Sequence, residues 1–161
     1  MDAGFILDFI YETSYFLGVF GIFLVLAVFK GRQALINLIF SLYLALLISF
    51  VFPYYDTLLG MFSSSQGESI GKLLIFVAFT FCFWLLCARI MPDEFRENKF
   101  ESFGKKLLLA LGATSLVMVF SFQVLPITEF LAPGTPIQSL FAPEQYYFWW
   151  LLLPLAILFF I

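Results

Sequence analysis

Histidine is absent from this chain of 161 residues, and cysteine occurs only twice. Without His the chain lacks the commonest zinc and haem ligand and the one side chain that ordinarily titrates near neutrality, so most metal and imidazole acid–base chemistry is not expected. Cys82 and Cys87 lie five residues apart in an apolar stretch, a spacing that puts them on different helix faces and does not match a CxxC redox pair. Both are expected to be packed thiols. Charge is also scarce: Asp, Glu, Lys and Arg make up 12% of the chain, against roughly 25% in soluble domains. What fills the space is apolar, with 63% hydrophobic residues, 24 Phe and a mean hydropathy of +1.03. Such helices are apolar all round, which suits lipid as a solvent and excludes a soluble globular domain. The length allows a single membrane domain of four or five spans and no separate soluble domain.

The few cations are informative by position. Lys30 and Arg32 form one cluster; Arg89, Arg96, Lys99, Lys105 and Lys106 form another; only Lys72 stands apart. Cytoplasmic loops retain Lys and Arg during insertion, so clusters in alternate loops predict both the number of crossings and their direction. The expected fold is therefore an all-α, polytopic transmembrane helical bundle with its N-terminus outside. Its spans are expected at about 11–29, 33–52, 71–90, 107–125 and 145–161. Inner loops would cover 30–32 and 91–106, and outer loops 53–70 and 126–144.

Local signals support these limits. Asp8 and Glu12 cost roughly 2.5–3.5 kcal/mol each at mid-bilayer, so the first span is set to begin after them, with both on an amphipathic lead-in at i,i+4 spacing. A basic n-region and a small-residue cleavage site are lacking, so no cleavable signal peptide is expected. Lys30-Gly31-Arg32 reads as a tight turn between antiparallel helices, and Pro53-Tyr54-Tyr55 as a helix stop at an interface. Residues 63–67 (Ser-Ser-Ser-Gln-Gly) predict a mobile segment. The mixed charges between Asp93 and Lys106, interleaved with Phe95, Phe100 and Phe103, predict a short helix on the inner leaflet, the alternative being a solvated linker. Pro126, Pro133, Pro136 and Pro143 predict a stiff, non-helical outer loop. Beyond it, Tyr146, Tyr147, Trp149 and Trp150 supply an aromatic belt. The last segment is short and holds Pro154, so whether it spans, tilts or inserts partway is open.

The most ordered polar pattern is in the second span, where Gln33, Asn37, Ser41, Ala45 and Ser49 recur at i,i+4 spacing. Lipid offers these groups no partner, so the stripe should face protein, as a close-packed helix interface or as a seam lining a pathway. Span four offers small residues at Gly104, Ala110, Gly112, Ala113, Thr114 and Ser115, and span three at Ala78 and Cys82. An intramembrane enzyme would need a carboxylate pair, a nucleophile with a base, or a metal cluster within the bundle. The nearest pair, Asp8 with Glu12, reads better as an acidic outer face. Catalytic residues, cofactors and metals are not expected, and no basic face suggests nucleic acid.

The first span, the Lys30-Gly31-Arg32 turn and the long second helix closing on Pro53-Tyr54-Tyr55 together resemble the CvpA family, small bacterial inner-membrane proteins named for colicin V production. The layout continues through a third span after Gly71, a charged inner segment and a fourth span with Gly104 and Gly112. The Pro-rich loop and the fifth segment are additional to it. The resemblance implies a multi-pass protein of the bacterial cytoplasmic membrane, non-enzymatic, supporting transport or envelope assembly. Its partners would be the lipid bilayer and other membrane subunits or further copies of itself; the alternative is a small oligomeric transporter or channel. No site residue comes with the resemblance.

Overall fold

A computed structural model describes residues 3–60, 65–91, 103–123, 136–141 and 143–161. These residues are helical with no strand. The elements in chain order are α1 (Ala3–Lys30), α2 (Arg32–Val51), α3 (Tyr55–Leu59), α4 (Ser65–Ile90), α5 (Phe103–Gln123), α6 (Pro136–Phe141) and α7 (Glu144–Phe160). Four of them hold windows long and apolar enough to cross a membrane: Thr13–Lys30, Arg32–Val51, Gly67–Ile90 and Phe103–Phe122. Helices of this length and composition satisfy every backbone group internally, which is the condition for life in a hydrocarbon solvent.

Several boundaries differ from the sequence-based expectation. The lead-in before the first span belongs to the same helix, α1, which begins at Ala3. Between Lys30 and Arg32 only Gly31 is non-helical, with φ at +85°, and its N–H donates to the Ala27 carbonyl at 3.1 Å. This is a left-handed helix terminus that Gly adopts without a Cβ penalty. Arg32, expected in the inner turn, instead opens α2, where it is buried. Ser65, Gln66 and Gly67, expected to be mobile, are the first turn of α4. Glu68 in that turn favours the helix start through its charge. Pro136, expected in a non-helical loop, is instead the first residue of α6, where its missing N–H costs nothing. Phe103, Lys105 and Lys106 belong to α5. The rest of the expected inner-leaflet helix, residues 92–102, and most of the Pro-rich loop, residues 124–135 and 142, lie outside the described residues.

The chain divides into two compact units, Met1–Ile36 with Phe95–Ile161, and Asn37–Glu94. In the first, α5 packs against both α1 and α7, and α6 touches all three. The register of α5 and α7 can be followed along their length. Lys105 at the start of α5 donates to the carbonyl of Ile161, just past α7, at 3.4 Å. Two turns on, Gly112 faces Pro154 and Ile157. At the far end Phe122 stacks with Phe141 at 6.5 Å, and Phe141 meets Trp150 at 4.5 Å. Advancing along α5 thus means retreating along α7, so the pair is antiparallel and α7 runs most of the length of α5. A helix of 17 residues is about 25 Å long, enough to accompany a spanning neighbour through most of the hydrocarbon.

α1 meets the opposite face of α5. Tyr15 and Ser121 hydroxyls lie 3.0 Å apart, and Ser121 is nine residues from Gly112, about half a turn out of phase at 3.6 residues per turn. Helices on both faces explain why α5 is buried nearly all round, with Leu109, Ala110, Ala113, Leu116, Met118 and Val119 fully inaccessible. Tyr15 lies near the start of one membrane-length window and Ser121 near the end of another. Both windows can occupy the same bilayer depth only if α1 and α5 run antiparallel.

In the second unit, the end of α2, α3 and α4 meet through aromatic edges. The Phe52 ring sits 5.1 Å from Tyr55, 5.3 Å from Phe79 and 5.8 Å from Tyr54, all tilted edge to face. Pro53 stops α2, and these rings fix the direction in which the chain enters α3. Buried hydrophobics are otherwise few in α4, where Phe76 and Cys87 are covered but Leu74, Val77, Phe81, Leu85 and Leu86 are exposed.

Candidate functional site

α2 exposes apolar side chains and buries a mixed set, in which Leu35, Ile39, Leu42 and Leu46 lie with the polar residues. Phe40, Leu44, Leu47 and Val51, spaced four, three and four apart, are exposed. On the other side Asn37, Ser41, Ala45 and Ser49 are buried, Ser41 and Ala45 fully, while Gln33 is half-buried one turn above Asn37. The residues at i,i+4 spacing are thus protected together with their apolar neighbours. The polar groups are partly spent locally. The Ser41 hydroxyl donates to the Asn37 carbonyl one turn back. Gln33 and Asn37 are both engaged. Ser49 differs: its Oγ is buried and has no hydrogen-bond partner among the described residues.

The same economy governs α5. Thr114 donates to the Ala110 carbonyl at 2.7 Å, Ser115 to Gly112 at 2.9 Å and Ser121 to Val117 at 2.7 Å. Back-bonding of this kind hides a hydroxyl inside its own helix and leaves the small side chain as packing surface. Because the single Ser121 proton is on the Val117 carbonyl, the Tyr15 hydroxyl must be the donor to Ser121 Oγ. A relay of two bonds thus joins α1 to α5.

Gly112 provides a close helix approach. A Cβ built there would lie 3.5 Å from the Cα of Pro154 and 3.3 Å from Cδ1 of Ile157. Gly104 has open space around it and serves no such contact. Ala78 and Cys82, expected at an interface of span three, are exposed on α4, so Cys82 is not the packed thiol expected of it, whereas Cys87 is buried. The two cysteines do fall on different faces.

Three contacts had no counterpart in the sequence reading: the Tyr15–Ser121 bond, the seating of Pro154 on Gly112, and the Trp150 indole donating to the Leu140 carbonyl at 2.8 Å. Each needs two partners far apart in sequence or across a turn; Gly112, Pro154 and Trp150 each carry a local signal, but none that names its partner. Asp8 and Glu12 are helical in α1, and their side chains lie outside the described set. Among the described residues no three His, Cys, Asp or Glu side chains gather closely enough to hold a metal ion.

Four helices of this length and apolar composition are those of an α-helical, multi-pass membrane protein. No protein-family model, no curated protein and no solved structure matches the chain.

Proposed function

We propose that this chain is a non-enzymatic scaffold or subunit of a bacterial cytoplasmic membrane, resembling the CvpA family in layout, that supports transport or envelope assembly through helix–helix contacts. The observation that carries this reading is the buried face of α2, where Asn37, Ser41 and Ala45 are almost wholly inaccessible and the Ser41 hydroxyl is closed on its own helix. Small, locally satisfied polar groups let backbones approach and add interhelical bonds worth about 0.6 kcal/mol each. The N-terminus would be outside, with Lys30, Arg89, Lys105 and Lys106 on the cytoplasmic side.

Replacing Asn37 or Ser41 with Leu should then loosen the packing of α2 within the chain and, through it, weaken assembly. Mild-detergent purification from native membranes, followed by mass determination of everything that co-purifies, tests this. A stoichiometric partner or discrete homo-oligomer that Asn37→Leu dissociates supports the scaffold; a complex untouched by both substitutions counts against it.

One observation favours a second reading, a small oligomeric transporter or channel with the α2 stripe lining its path. The Ser49 hydroxyl, buried with its hydrogen-bonding capacity unused among the described residues, is the kind of group a pathway would offer to water or a polar substrate. In that case the Leu substitutions should leave assembly intact and abolish flux in proteoliposomes.

A further inference from the structure

We propose that the basic end of the unit formed by α1, α5 and α7 binds the phosphate of an anionic phospholipid, with Lys105 and Lys106 as the principal cations and Lys30 beside them. The antiparallel register brings together the last residue of α1, the first turn of α5 and the end of α7. Lys30 and Lys105 are exposed there, Lys106 is half-buried, and Arg32 adds a fourth positive charge close by. The described helix positions of this unit that carry carboxylates, Asp8, Glu12 and Glu144, all fall toward the opposite end. Within the described residues the unit is therefore polarised along its axis. Lys105 also donates, over a long 3.4 Å, to the main-chain oxygen of Ile161.

The ligand's second half is also provided for. Below the lysines, Leu108 and Leu111 are exposed on α5, one and two turns into the apolar window. Phe29, Phe103, Phe159 and Phe160 are exposed around the same end, Phe29 at 84% and Phe159 at 85%. Gly104, with open space about it, leaves room between the lysines and these rings. A cationic cluster set directly above an apolar strip matches an amphiphile with a charged headgroup and acyl chains better than it matches a free anion. The lipid site uses no residue of the α2 stripe and stands independently of the scaffold reading.

The test uses the full chain in nanodiscs of mixed phosphatidylcholine and phosphatidylglycerol, with native mass spectrometry counting the lipids retained on release. Wild type should retain phosphatidylglycerol preferentially, and the preference should fall roughly fivefold for each lysine neutralised in Lys105→Gln, Lys106→Gln and their double variant. The charge-preserving Lys105→Arg/Lys106→Arg should keep it, which separates loss of charge from loss of fold. Lys72→Gln, in the other unit, should also keep it. Equal retention of the two lipids by wild type, or an unchanged preference in the double Gln variant, overturns the proposal. So does displacement of the bound lipid by millimolar inorganic phosphate, which would make the end a free-anion site.

Discussion

Gly112 of α5 and Pro154 of α7 face one another so closely that a Cβ on Gly112 would stand 3.5 Å from the Pro154 Cα. The relationship explains how a proline can sit inside a helix of the bundle. Pro154 supplies no N–H, leaving the carbonyl one turn back without its usual helical donor, and it is fully buried against a neighbour that has no side chain to keep it away.

Size at position 112 should therefore set the stability of the α5–α7 pair. Gly112→Ala meets only ordinary contact with Pro154 and the yielding tip of the Ile157 side chain, so its effect should be small. Gly112→Leu must push α7 aside and should cost about 1–3 kcal/mol, the range for overpacking a close-packed site. Unfolding in mixed micelles of increasing SDS, monitored by tryptophan fluorescence, would separate the two.

The Tyr15–Ser121 bond is a polar link between α1 and α5. Tyr15→Phe and Ser121→Ala should each destabilise by about 0.6 kcal/mol, the usual value of an interhelical hydrogen bond in a membrane. The double variant should cost little more than either single one, because both remove the same bond. Additive losses in a double-mutant cycle would show that the hydroxyls act separately.

Trp150 ties α7 to α6 by its indole N–H on Leu140 and by its ring on Phe141. Trp150→Phe keeps the ring and loses the bond, so it should cost about 1 kcal/mol. Trp150→Ala loses both and should release α6. Limited proteolysis between residues 124 and 143 should be faster in the Ala variant than in the Phe variant.

The two thiols should differ in reactivity. Cys82 is exposed on α4 and Cys87 is buried, so N-ethylmaleimide, which partitions into lipid, should modify a Cys87→Ser protein faster than a Cys82→Ser protein. Intact mass against time reads the two rates directly.

What could be read from the sequence was what a single helix decides for itself. Gly31 as a break and Pro53 as a stop both arise from backbone angles, and the structure has each of them. The exposure of Ala78 and Cys82 shows where that reasoning ends, because small-residue spacing says only that a helix could be approached and not that a neighbour is there. The apolar windows begin at Thr13 and Gly67, near the expected span starts, while α1 and α4 extend beyond them to Ala3 and Ser65, because a helix end projecting from the window suffers no hydrocarbon penalty for charge or Ser. The antiparallel α5–α7 register, which turns the short last segment into a companion of α5, depends on pairings such as Lys105 with Ile161 that no local pattern announces.

The central claim, that the polar face of α2 is closed against protein rather than lining a path, is tested most directly by aqueous labelling at position 41. In a background carrying Cys82→Ser and Cys87→Ser, Ser41→Cys should remain unmodified by a charged, membrane-impermeant methanethiosulfonate applied from either side of the membrane. Modification of Ser41→Cys in the folded protein, at a rate near that of an exposed control cysteine, would contradict the account and make the face a water-filled pathway.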